Sequence, residues 1–463
     1  MKLIAKTGQG KDKHITVGYL YDENQELISI ITVNNSILKY LSNFVKVSMI
    51  PIDFKRLKLQ HLKEQINKAD FLIFDLKNVR ILPFLMRERG DVNLPFIILL
   101  HTVVSWIEPI VYSIPLLREE DILIVPSQHA RKCFLKITGR FKVHIIPNCL
   151  DAIALRRKAA AWKERRLKNK VISYLGRLEP EKGIEALVDC MPDIVAWTGQ
   201  AHLRLIGPLS GSYIRDYPQS PFVTNLKKKI ERLGLSKRVK FIGLRLGDKK
   251  YRLLSRSDLF VYPTTAKGET FAMANLEAMA CGVPVITTNW AGNKELIKNG
   301  RNGYLIDTIC NKKGDYALDT RQLVSLIVKV LQDDKLRRKL SREAQKSSLS
   351  YDWRKVFPRL IRLLRVRKKM KLNSRWDSIK DKTVMDFRHL YTREMLFFIP
   401  LLNKISYGFV WNAIMNTHKA NGETEEYRKR YGHNIEGNFC VGSRYRIKFR
   451  KAFRNMFTDL ARN

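Results

Sequence analysis

Short apolar runs alternate along this chain with longer stretches of helix-like spacing. In the first third, HITVGYL, LISIITV, FLIFDL, PFIILLH, DILIVPS and VHIIPN are rich in β-branched residues and end in turn signals, as buried parallel strands do. Between some of them, FKRLKLQHLKEQINKA and SQHARKCFLKI space their apolar residues as one face of a helix. After Asn148 a basic, alanine-rich segment, IALRRKAAAWKERRLKNK, reads as a linker. A second series follows. VISYLG, HLRLIG, VKFIG, DLFVYP and VPVITT predict strands, and GIEALVDCM, FVTNLKKKIERLG, TFAMANLEAMACG and TRQLVSLIVKVLQ predict helices. Two such series predict two doubly wound α/β sheets with a cleft between them. Ligands of these folds sit at the carboxyl ends of the strands, beside helix N-termini.

The pattern changes near Tyr351. Residues 354–463 carry 26 Lys or Arg and 9 Asp or Glu, a net of +17. They include the apolar, aromatic run EMLFFIPLLNKISYGFVWNAIM, which Pro400, Asn403 and Lys404 break too often for a bilayer span. The division expected is a first α/β domain over 1–160, a second over 161–350, and a basic, helical extension over 351–463. That extension is expected to cross back to the first domain.

Composition adds one strong constraint. Among 463 residues, 85 Lys and Arg stand against 44 Asp and Glu, a formal charge of +41. Such a surface attracts polyanions: nucleic acid, an anionic membrane or a phosphorylated substrate. No nucleic-acid recognition element accompanies the charge, so no specific nucleic-acid partner is expected. The six cysteines are scattered without a CxxC pair, which argues against a zinc site or a disulfide framework and for a reducing compartment. The start, MKLIAKTGQGKDKH, lacks the apolar stretch of a signal peptide. The chain reads as cytoplasmic, and its basic extension admits a peripheral place on the inner face of an anionic membrane.

Two constellations carry candidate chemistry. GRLEPEKG, Gly176 to Gly183, joins the strand VISYL to the helix GIEALVDCM. Arg177 offers a fork for phosphate oxygens and Lys182 a point charge, both beside a positive helix N-terminus. That arrangement stabilises the charge developing on a nucleoside diphosphate leaving group. GETFAMANLEAMACGVPV, Gly268 to Val285, follows the strand DLFVYP. Glu269 would take sugar hydroxyls, the amides of Thr270, Phe271 and Ala272 would face phosphate, and Glu277 would take the ribose diol. Taken singly, the first segment also fits a solvated loop and the second a helix with one surface glutamate.

Taken together, GRLEPEKG, RLIGP, VKFIG, VYPTTAKGETFAMANLEAMACGVPVITT and NGRNGYLID resemble the donor half of the retaining GT-B glycosyltransferases of family 4. The resemblance runs in register from about Val171 to Asp307 and meets the family's EX7E spacing at Glu269 and Glu277. It implies two Rossmann-like domains facing a central cleft and a nucleoside diphosphate sugar donor. It also implies a glycan or lipid-linked acceptor hydroxyl, retention of configuration, and no metal or other cofactor. Arg177, Lys182, Glu269 and His101 become the catalytic candidates. Thr270, Phe271, Ala272, Glu277 and the strand end Gly243, Leu244 and Arg245 complete the donor-binding set. His101, in HTVV, resembles the family's sugar-facing histidine. Cys149 stands where the family has glycine, and three further departures stand out: GQG at Gly8 to Gly10 replaces a paired-glycine loop, Ala272 replaces the glycine that usually follows Phe, and the first domain is short while a long extension follows the second. The alternative is a catalytically weak GT-B scaffold that binds polyanions.

Overall fold

The computed structural model describes residues 12–22, 28–53, 58–79, 82–88, 90–101, 117–138, 142–163, 170–209, 220–266, 268–310 and 316–368. Gly8 to Gly10, Val103 and the apolar run beginning at Glu394 lie outside them.

Two six-stranded sheets dominate. The first contains β1 (Asp12–Asp22), β2 (Val45–Ile52), β3 (Phe71–Asp75), β4 (Phe96–Leu99), β5 (Ile122–Val125) and β6 (Val143–Ile145). Its spatial order is β2-β1-β3-β4-β5-β6. The second contains β7 (Lys170–Leu175), β8 (Ala201–Ile206), β9 (Val239–Gly243), β10 (Leu259–Tyr262), β11 (Val285–Thr288) and β12 (Gly303–Ile306). Its order is β12-β11-β10-β7-β8-β9. All pairings within both sheets are parallel. The β3, β4, β5, β10 and β11 strands are buried throughout, which explains their near-continuous apolar runs.

In the second sheet the chain winds outward from β7 to β9, then returns to place β10 on the other side of β7. The order reverses between β7 and β10, and crevices form outside the strand ends at such a point. GRLEPEKG leaves the end of β7, and GETF follows β10.

Several local expectations need correction. LISIITV is not a strand; Ile28–Leu41 is a helix. Its β-branched start continues into a fourteen-residue element whose Leu38 and Leu41 are buried, and the parallel β1–β2 pair requires a crossover. Strand β2 was missed because VKVSMIPI is half-exposed and carries Pro51, features of a sheet edge. GIEALVDCM spans two helices, Ile184–Asp189 and the start of Met191–Thr198, with Pro192 just inside the second. The segment read as a linker contains the helix Ala152–Lys163, whose Leu155 and Ala159 enter the second domain's core.

The first sheet is covered on both faces by separate apolar clusters. One of them draws Val356, Phe357, Leu360, Ile361 and Leu364 from the helix Trp353–Lys368. Trp353 stacks on Tyr40 at 5.3 Å between centroids. The chain thus returns to the first sheet after the second is complete. The two crossings are tied together: Leu150 N–H donates to the Tyr351 carbonyl at 3.2 Å, and Trp353 N–H to the Leu150 carbonyl at 3.1 Å. Among the described residues, no helix is long and apolar enough to cross a membrane.

Candidate active site

The loop after β7 forms a short 3-10 turn, Pro180–Lys182, closed by Gly183 at φ 68°. A side chain at Gly183 would strike the Pro263 carbonyl, so glycine is required both by the left-handed backbone and by the neighbouring strand end. The loop after β10 is laced to this turn. Thr264 donates its hydroxyl to the Glu181 carbonyl at 3.2 Å, and Thr265 N–H donates to the same oxygen.

This lacing brings Lys182 and Glu269 together. The Lys182 ammonium lies 3.0 Å from Glu269 Oε2 and is 7% exposed. The Tyr262 hydroxyl donates to the same oxygen at 2.7 Å, and Ala272 N–H donates to Oε1 at 3.0 Å. Burial raises the Glu269 pKa, but Lys182, the Tyr262 hydroxyl and the Ala272 amide outweigh it and hold the carboxyl below its ordinary value. Burial likewise lowers Lys182, and the Glu269 charge more than restores it. Lys182 and Glu269 are therefore an ionised pair.

Arg177 does not stand open. Its guanidinium pairs with Glu179 and, at 2.9 Å, with Glu181. Burial disfavours its charge, yet the two carboxylates raise its pKa overall. Behind the site, Tyr174 and Tyr262 stack at 5.8 Å, and the Tyr174 hydroxyl donates to the Arg177 carbonyl at 2.7 Å.

Thr270, Phe271 and Ala272 precede the helix Met273–Ala280. Ala272 adopts φ 59°, in the left-handed region that favours glycine. Its amide, expected to face a ligand, is instead used by Glu269. The Thr270 hydroxyl reaches across the cleft to the His101 carbonyl at 2.5 Å. His101 follows β4, and its Nε2 is buried with no hydrogen-bond partner among the described residues. Burial lowers its pKa despite the nearby Asp75, so the imidazole is neutral at pH 7. Glu295 also joins the two domains, accepting the Gln128 and His129 amides at 2.8 and 2.6 Å.

Glu277 lies apart from this cluster and is 5% exposed. Its Oε1 accepts from Lys250 at 2.6 Å and from the Tyr251 hydroxyl at 3.2 Å. Gly243 ends β9 at φ 75°, Leu244 is half-buried, and Arg245 is exposed with its guanidinium on the Leu244 carbonyl. The structure therefore joins Lys182, Glu269, Ala272 and, across the cleft, Thr270 and His101. Arg177 is paired with Glu179 and Glu181, and Glu277 with Lys250 and Tyr251.

Tyr262 and Lys250 were not anticipated. Tyr262 had a readable signal, as the last residue of a strand predicted to end at the cleft. Lys250 sits one helical turn from buried Leu254 in Gly247–Ser255, a lysine on an apolar face. A cavity of about 400 Å³ lies elsewhere, between Arg156, Arg157, Asp352 and Lys355. A smaller one of about 40 Å³ is lined by His101, Asn148, Cys149 and Met273, among others. Among the described residues no group of three or more His, Cys, Asp or Glu is placed to hold a metal ion.

Comparison with known proteins shows what the chain is similar to. Residues 156–347 match the family model described as glycosyl transferases group 1. Spore coat protein SA of Bacillus subtilis is 31% identical over 194 residues, 42% of this chain and 48% of that protein. The D-inositol 3-phosphate glycosyltransferase of Rhodococcus jostii is 30% identical over 34% of this chain and 32% of its own length. The phosphatidyl-myo-inositol mannosyltransferase of Mycobacterium leprae is 24% identical over 52% of this chain and 58% of its own. The chain thus spans between a third and three fifths of these relatives. Among solved structures, Anabaena HepE in complex with UDP superposes with a TM-score of 0.61 at 19% identity, covering 76% of this chain and all of that one. A glycosyltransferase from Rickettsia africae matches with the same score at 15% identity, covering 78% of this chain and all of its own. The fold is GT-B. The match to the group 1 glycosyl transferases falls on the second domain of this chain.

Proposed function

We propose that this protein transfers a hexosyl-type group from a nucleoside diphosphate sugar to an acceptor hydroxyl, with retention of configuration. The observation that carries the reading is the buried Lys182–Glu269 pair at the switch point of the second sheet. It sets a fixed cation and a fixed carboxylate side by side where a donor's phosphate and sugar would lie. HepE, of the same fold, was solved with UDP and with UDP-glucose, which supports a donor of that class.

In this reading Lys182 and Arg177 hold the diphosphate, with Arg177 exchanging Glu181 for phosphate oxygens. Thr270, Phe271 and Ala272 line the approach, and the first amides of helix Met273–Ala280, which lack intrahelical acceptors, add positive potential. Glu269 orients the sugar, neutral His101 faces it from the first domain, and Glu277 takes the ribose. The base lies against Gly243, Leu244 and Arg245. The departing phosphate helps remove the acceptor's proton on the face it leaves. Side-chain cations and helix amides do the electrostatic work, so no metal or other cofactor is invoked.

The acceptor is a glycan or a lipid-linked hydroxyl, a class supported by the mycobacterial relative's name. The helix Trp353–Lys368 exposes Lys355, Arg359 and Arg362 on one side, which supports a cytoplasmic protein peripheral to an anionic membrane. The polyanion-binding scaffold is disfavoured by the ionised pair, which a mere scaffold does not need. Hydrolysis of a panel of nucleoside diphosphate sugars, with anomeric configuration read by NMR and EDTA present, tests the reading. No turnover of any donor, or an inverted product, contradicts it. Flotation with anionic vesicles at low salt tests the membrane part.

A further inference from the structure

Tyr262 ends β10 with its ring buried between Tyr174 and Phe260, at centroid distances of 5.8 and 6.3 Å. Its carbonyl is fixed from the other side by the Thr287 hydroxyl at 2.7 Å. Both ends of the residue are thus held, and its hydroxyl has one place to go: Glu269 Oε2, at 2.7 Å. The Lys182 ammonium reaches that same oxygen at 3.0 Å and lies 5.9 Å from the Tyr262 ring centroid.

The two donors to Glu269 differ in what a substrate does to them. Lys182 is a charge, and an incoming diphosphate competes for it, weakening its hold on Glu269. Tyr262 is neutral, so phosphate does not draw it away. Burial and the adjacent Glu269 charge push its pKa well above the ordinary phenol value, which keeps it a donor throughout the working pH range. The charged or titratable groups around Glu269 include Lys182, Tyr262 and, one ring further back, Tyr174, with Arg177 and Glu181 acting on both Lys182 and Tyr262.

From this shared oxygen we infer that Tyr262 is a positioning residue for the transfer reaction: its hydroxyl keeps Glu269 ionised and aimed while Lys182 is drawn to the donor's diphosphate. The inference rests on the function proposed above. It places the effect in the turnover step, because the hydroxyl is needed most when Lys182 is engaged elsewhere.

The test is Tyr262→Phe, which keeps the stacked ring and removes only the hydroxyl, with Glu269→Gln run beside it. Losing a hydrogen bond to a charged group lowers kcat roughly 10- to 100-fold, while the KM for the nucleotide sugar stays within about twofold. The acid limb of the kcat profile moves to higher pH, because Glu269 protonates more readily without its second donor. A residue that only packs would shift neither the limb nor the split between kcat and KM. Wild-type kcat and an unmoved limb in Tyr262→Phe, with Glu269→Gln inactive, overturn the positioning role and leave the site reading intact. Full turnover in Glu269→Gln overturns both.

Discussion

Lys182 and Glu269, 87 positions apart in sequence, form a buried ion pair at 3.0 Å. Neither could be buried alone, since an unpaired charge at such a site costs several kcal/mol. The pair therefore ties the loop after β7 to the loop after β10 and sets a cation beside a carboxylate at the sheet's switch point.

Breaking the pair on one side should damage stability and turnover together. Lys182→Met or Glu269→Gln is expected to cost about 3–5 kcal/mol or less, because each leaves the other charge buried without its ionic partner. The double substitution should recover much of the stability and none of the turnover. Thermal melts and donor turnover across the four proteins check this. Additive stability losses would show that the two side chains are not coupled.

The pair also has a pH signature. The folded-state pKa of Glu269 is depressed, so its contribution is full above the unfolded carboxylate value, about 4.3, and fades as pH falls through the folded value. That of Lys182 is raised, so its contribution is full below about 10.4 and fades as pH rises through the folded value. The stability gap between wild type and Glu269→Gln should be flat between those limits and close on the acid side. A gap that widens below pH 4 contradicts the assignment. His101, depressed by burial, works in the same direction: its neutral burial is tolerated above about pH 6.5 and costs stability below it.

Glu277 should behave differently from Glu269. Its Oε1 is committed to Lys250 and Tyr251, and a ribose contact is the same in ground and transition states. Glu277→Gln is expected to raise the donor KM with little change in kcat, whereas Glu269→Gln chiefly lowers kcat. Steady-state kinetics of the two variants check this, and the reverse pattern would exchange their roles.

Much of this was readable in the residues. The runs FLIFDL, PFIILLH, DILIVPS, VISYLG and DLFVYP became strands because parallel strands buried on both faces have little choice but continuous apolar sequence. GRLEPEKG and GETF are therefore placed at strand ends by the sequence pattern alone. Side-chain partners were not readable. Nothing in the spacing shows that Lys182 pairs with Glu269, that Lys250 meets Glu277, or that Glu295 caps a helix of the other domain, since each joins elements brought together only by the tertiary fold. LISIITV was misread for a related reason: local β-branching favoured a strand, and the need for a crossover between β1 and β2 overrode it.

Ala272 marks a place where the sequence carries strain. At φ 59° an L-residue costs about 1–2 kcal/mol, and glycine would remove that cost while losing part of the gain to greater unfolded-state freedom. Ala272→Gly should raise the thermal midpoint slightly and leave donor binding intact, because the amide that holds Glu269 is retained. Differential scanning calorimetry checks the first point. A lowered midpoint would mean that the alanine methyl packs better than its backbone is strained.

Lys182 and Arg177 are expected to carry nucleoside diphosphate binding by the second domain. The most direct test is calorimetric titration of the full chain with nucleoside diphosphates in EDTA, comparing wild type with Lys182→Ala and Arg177→Ala. Wild type should bind at least one nucleoside diphosphate saturably and one-to-one. Each variant should lose roughly 10- to 100-fold in affinity, as expected for a charge-assisted contact of about 1.5–3 kcal/mol. Unchanged affinity in both variants, or binding that appears only when a divalent metal is restored, would contradict that expectation.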